Sequence, residues 1–128
     1  MMTQDAIVPF RRFRFAGGIT VEVAQFILAP GTTEAALVDA SNRMQRAFAG
    51  ETGFLGRLLT QDDRGTYLDI LYWAEDAERL PTLAQRAERS PACADYLACL
   101  AAPEAGEPPV DALIRGVAAT ASAARMKS

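Results

Sequence analysis

From Gly53 to Trp73 the chain reads GFLGRLLTQDDRGTYLDILYW, two apolar runs joined by a polar Asp-Asp-Arg-Gly stretch and ending at the only tryptophan. This pattern predicts a hairpin with strands near Phe54 to Gln61 and Thr66 to Trp73, and nothing beyond a turn is needed to explain Asp62, Asp63 and Arg64. Upstream, Ile19 to Leu28 is rich in β-branched residues and reads as another strand, ended by Pro30-Gly31. A helix should then start near Thr32, whose hydroxyl can cap it, with Glu34 favoured in the first turn by the helix dipole. Leu37, Ala40, Met44, Ala47 and Phe48 fall on one face of it at helical spacing, and Gly50 offers the stop.

After the hairpin, Asp76 could cap a second helix carrying Ala77, Leu80, Leu83, Ala84 and Ala87. Pro81 lies too deep in that run to be harmless and should kink or restart it. Ser90-Pro91 is a cleaner start for a short third helix with Cys93, Leu97 and Leu100 as its buried stripe. Pro103 to Pro109 is a loop by composition, and VDALIRGVAA beyond it can supply a fourth strand. The order is β-α-β-β-α-β, an α+β fold of the ferredoxin-like type. It divides the chain into an N-terminal arm or extra strand over residues 1–18, one domain over 19–117, and a frayed tail over 118–128.

Side chains alternate across a strand, so Val21, Val23, Gln25 and Ile27 oppose Glu22, Ala24, Phe26 and Leu28. In the last hairpin strand Leu68, Ile70 and Tyr72 oppose Tyr67, Asp69, Leu71 and Trp73. Both faces are largely apolar, yet the helices can cover only one. The expectation is a two-fold homodimer that buries the second face sheet against sheet; the alternative is that the chain's own two ends fold over it.

Composition narrows the chemistry. At 128 residues, half of them hydrophobic, there is material for one core. A net charge of -3 argues against a nucleic-acid partner. No apolar run is long enough to span a bilayer and no signal peptide is evident, so a cytoplasmic protein with no membrane contact is expected. Histidine is absent, which removes His-based triads, His general bases and His-ligated metals. Neither a metal nor a cofactor is expected. Cys93 and Cys99, six residues apart, would point about 240° apart around a helix and stay reduced. The arm PFRRFRF, Pro9 to Phe15, interleaves three arginines with three phenylalanines. It reads as an edge strand with its arginines in solvent, or as an anion-binding or base-stacking patch.

The residues GFLGR, the strand ending LYW, and SPAC, in this order of elements, resemble the antibiotic-biosynthesis-monooxygenase-like family of dimeric α/β barrels over roughly Thr20 to Leu100. The resemblance implies paired sheets and a pocket between sheet and helices in each subunit. It also implies one of several activities, among them cofactor-independent oxygenation of aromatic polyketides and haem degradation. Trp73 matches a pocket residue of the haem-degrading branch. That branch's Asn and His would fall near Ala24 or Gln25 and near Tyr96 or Leu97, where neither residue occurs, so haem degradation is disfavoured. The oxygenase branch needs only to bind, desolvate and deprotonate an electron-rich phenol.

The leading functional expectation is therefore a cofactor-independent monooxygenase-like protein for a small aromatic, polyketide or quinol-like compound. The alternative is a non-catalytic dimer of the same fold that binds a hydrophobic ligand or only builds structure. The candidate catalytic group is Asp69, Trp73 and Tyr67. Asp69, among Leu71, Trp73 and Phe26, could act as general base toward a phenol, or instead pair with Arg57 across the hairpin. Trp73 could line the pocket and donate its indole N–H, or close the core. Tyr67 and Tyr96 could orient a substrate, and Phe26, Leu71 and Arg57 could bind it. Gln25 needs partners if buried, at a dimer interface before a substrate. Cys93 without a histidine is better suited to burial than to nucleophilic work.

Overall fold

A computed structural model describes residue 8, residues 10–15 and residues 17–103. Its elements run β1 (Arg11–Phe15), β2 (Ile19–Leu28), α1 (Glu34–Ala49), β3 (Phe54–Gln61), β4 (Tyr67–Trp73), a 3-10 turn (Ala77–Arg79), α2 (Leu83–Ala87), α3 (Pro91–Leu97) and β5 (Leu100–Ala101). The sheet order is β1-β2-β4-β3, and each neighbouring pair is antiparallel. The architecture is α+β. Because β2 and β3 both run against β4, they are parallel to each other, and α1 is the crossover that such a pair requires.

The arm is a strand: β1 folds back on β2 with Phe15 opposite Ile19, through a turn in which Gly17 and Gly18 both take positive φ. The fourth strand of this sheet is thus the arm, whereas the sequence offers VDALIRGVAA for that strand. That segment, like the tail, lies outside the described residues. β5 pairs with the other end of β2, Leu28 opposite Leu100.

The helix starts differ in detail from expectation. Thr33, not Thr32, caps α1, its hydroxyl accepting from the Ala36 amide at 3.1 Å. Ser41 rather than Ala47 completes the buried face. Past Asp76 the chain makes only a 3-10 turn, Leu80 is extended, and the restart at α2 uses Thr82 and Gln85 in a reciprocal capping box. α3 begins as the Ser90-Pro91 pair predicts, with Ser90 Oγ accepting from the Cys93 amide. Asp62 Oδ1 accepts from the amides of Arg64 and Thr66, which closes the hairpin turn.

The main core lies between sheet and helices. It gathers Ala24, Phe26, Tyr67, Leu71 and Trp73 from the sheet, Leu37, Met44 and Phe48 from α1, and Cys93 and Tyr96 from α3. Both cysteines are free thiols. Burial pushes both upward, away from the reactive thiolate. On the opposite face Val21, Val23 and Ile70 form a second cluster, with Phe13, Phe15, Ile19, Leu68 and Tyr72 against it. These three are only 1–3% exposed in a single copy. The premise that a lone chain leaves this face wet therefore fails at its centre. The large apolar side chains that do stay exposed among the described residues are Val38, Leu55 and Leu58. Among those residues, no helix is long and apolar enough to cross a membrane.

Candidate ligand-binding cleft

Glu22 sits midway along β2 on the helix-covered face, opposite Arg12 on β1 and Leu71 on β4. A carboxylate there must be compensated, since an isolated buried charge is costly. Trp73 Nε1 donates to Glu22 Oε1 at 2.7 Å, and Arg12 Nε donates to Oε2 at 2.8 Å. Arg12 goes further, donating through Nη1 to the Ala77 carbonyl at 2.6 Å and through Nη2 to the Pro81 carbonyl at 2.8 Å. One guanidinium thereby ties β1, the buried acid and the irregular segment before α2 together. It is not the solvent-facing side chain that the arm's composition suggested.

A cleft of about 280 Å3 opens beside this group, lined by Val8, Phe10, Thr82, Leu83, Ala84 and Leu97 together with Arg12 and Glu22. Its wall is mostly apolar and its ionic pair is the one strongly polar feature, a combination typical of small-molecule sites. Deeper in, Phe10, Glu22 and Leu83 also border a gap of about 10 Å3 that reaches Met44, Phe48 and Arg86. Arg86 is nine-tenths buried, with its guanidinium 4.6 Å from the Trp73 ring centre and 5.1 Å from that of Phe48. Its Nη1 donates to both oxygens of Glu51. Its Nη2 is buried and has no partner among the described residues.

The expected catalytic group does not form one constellation. Asp69 is fully buried and faces Arg57, which donates from Nε to Oδ1 at 2.9 Å and from Nη2 to Oδ2 at 2.8 Å. Tyr96 adds its hydroxyl to Oδ2 at 2.6 Å, while Arg57 Nη1 donates to Ser41 Oγ at 2.6 Å and the guanidinium lies over the Tyr96 ring at 4.9 Å. This is the cross-hairpin ion pair foreseen as the alternative role of Asp69. Burial alone would pull the Arg57 pKa down, but Asp69 overcomes it and holds it above the ordinary value. Burial first, then Asp69, drives the Tyr96 phenol far up. None of the clefts described here is lined by Asp69, Arg57 or Tyr96.

Trp73 is fully buried and joins the Glu22 group instead. Tyr67 stacks on Phe26, ring centres 5.2 Å apart, and borders a different cleft of about 270 Å3 with Gln25, Gln61 and Leu68. Its phenol too is pushed up, by burial and then by Glu34. Leu71 lies in the core beside the gap, opposite Glu22. The residues of this group that sequence reasoning missed are Glu22 and Arg86, while Arg12 entered only as one of the arginines of a possible anion-binding arm. The first had a readable signal, since strand alternation already puts Glu22 on the face of Ala24 and Phe26, where a charge needs a reason. Arg86 carried none, because its helix is too short for a pattern.

A surface cleft of about 590 Å3 lies on the far side of Arg86, lined by Glu51, Glu78, Arg79, Gln85 and Arg89 among others. Its charges alternate in sign and favour no single ligand chemistry. Among the described residues no group of three or more His, Cys, Asp or Glu side chains is arranged to hold a metal ion. Compared with known proteins, the chain matches no family model, no curated protein and no solved structure.

Proposed function

We propose that the cleft beside Glu22 binds a small aromatic compound bearing a hydroxyl, and that the chain acts on it as a cofactor-independent monooxygenase-like enzyme. The observation that carries the binding half is the buried Glu22 carboxylate at the edge of an apolar cleft of about 280 Å3, a volume suited to a one- or two-ring compound. Each Glu22 oxygen receives one protein donor, and a carboxylate oxygen has room for two. The free lone pairs suit a phenolic O–H. The oxygenation half comes from the resemblance to the antibiotic-biosynthesis-monooxygenase-like family, with Glu22 rather than Asp69 as the group that takes the phenol proton. Trp73 then holds the carboxylate in place from below.

A second reading, binding without chemistry, is favoured by the same geometry taken strictly: Arg12 and Trp73 already engage both Glu22 oxygens and hold the carboxylate as a fixed anchor. Dissolved-oxygen uptake separates the two. With a panel of phenols and quinols, the enzyme reading expects uptake above the protein-free rate that Glu22→Gln removes. Binding with no uptake for any compound leaves only the second reading. Pairing of two sheets into a barrel is not needed for either, because one copy supplies every residue named.

A further inference from the structure

We infer that Arg86 is the second polar anchor of this site, and that it selects a ligand carrying an uncharged hydrogen-bond acceptor, a carbonyl oxygen, opposite the hydroxyl that meets Glu22. The inference rests on the proposed ligand cleft. Glu51 engages Nη1 and lines the surface cleft but not the inner gap, which leaves Nη2 as the terminal nitrogen for the gap between Arg86 and Glu22. A buried guanidinium N–H without an acceptor is a standing cost, and the rings of Trp73 and Phe48 hold the group against reorienting. An acceptor brought to Nη2 would therefore meet a donor already in place.

Charge balance decides what kind of acceptor. Arg12 is matched by Glu22 and Arg86 by Glu51, so the four formal charges cancel. A carboxylate would add an unmatched negative charge beside the buried Glu22, whereas a carbonyl accepts the N–H and adds none. The gap of about 10 Å3 holds no more than one water until Leu83 or Phe10, both at its border and at that of the outer cleft, shifts to admit the ligand.

The test is calorimetric binding of three compounds of one shape, para-ethylphenol, para-hydroxyacetophenone and para-hydroxybenzoate, to the full chain and to Arg86→Lys. The full chain should bind the ketone about tenfold more tightly than the ethyl compound, since a hydrogen bond to a charged group is worth at least that factor. The benzoate should bind worse than the ketone, and Arg86→Lys should erase the ketone's advantage. Equal affinity for ketone and ethyl compound in the unmodified chain would mean that water serves Nη2 and would overturn the role given to Arg86, with the phenol site intact. Tighter binding of the benzoate would overturn the charge argument. No binding of any of the three would remove the cleft as a ligand site, and this inference with it.

Discussion

Inside the protein Arg57 meets both oxygens of the Asp69 carboxylate, and the Tyr96 hydroxyl adds a third donor. Removing one member leaves its partner buried and unmatched, so Asp69→Asn or Arg57→Gln should each cost about 3–5 kcal/mol in urea unfolding. The double variant should cost less than the two losses added together. Tyr96→Phe removes one bond to a charged group and should cost about 1.5–3 kcal/mol at neutral pH. Its pH signature has a definite sign. A phenol whose folded pKa is raised contributes stability that is complete below the unfolded value of 10.0 and is lost as pH climbs above it toward the folded value. The intact chain should therefore weaken steeply in alkali, and Tyr96→Phe should flatten that limb, as read by the urea midpoint against pH. At this scale the Asp69–Arg57 pair was legible in the sequence because strand alternation puts both on one face of a hairpin. The hydroxyl of Tyr96 was not, since a pattern of apolar positions does not say where a helix lies on a sheet.

The start of α1 offers a clean choice between neighbouring threonines. Thr33→Ala should cost about 1 kcal/mol and Thr32→Ala close to nothing, because only the Thr33 hydroxyl reaches the amide at Ala36. The opposite order, by thermal melting, would place the cap one residue earlier, where the sequence alone suggested it. α1 was legible from its helical period and the stop at Gly50, β2 from its β-branched run and the stop at Pro30-Gly31, and β3 as an apolar run ended by the Asp-Asp-Arg-Gly turn. The stretch from Asp76 to Ala87 was legible only as a broken helix. There Pro81 prevents continuation, and the chain's polar backbone is satisfied by a long-range partner, Arg12 on β1. No local rule announces a carbonyl served by an arginine 65 residues away. Likewise, the arm reads as a strand from its Phe and Arg alternation, but nothing local says that it pairs with β2.

At the scale of the molecule, two groups of buried charge among the described residues hold the sheet to its cover: Asp69, Arg57 and Tyr96 toward α3, and Glu22, Arg12, Trp73 and Arg86 toward α2. The second group lies beside open volume, whereas none of the clefts described above is lined by Asp69, Arg57 or Tyr96, and this favours Glu22 over Asp69 as the candidate site. The sheet's other face bears on assembly. Since Val21, Val23 and Ile70 are buried in one copy, the chain should sediment as a monomer at micromolar concentration. A dimer that Leu58→Asp splits would show that Leu55 and Leu58 belong to an interface and would restore the paired-sheet expectation. The central claim, that the cleft beside Glu22 takes a phenol, is tested most directly by the fluorescence of Trp73, the only tryptophan and a direct partner of Glu22. Titration with para-ethylphenol should give a saturable change, shifted about tenfold toward weaker binding in Glu22→Gln. A change that never saturates, or one identical in the two proteins, would contradict it.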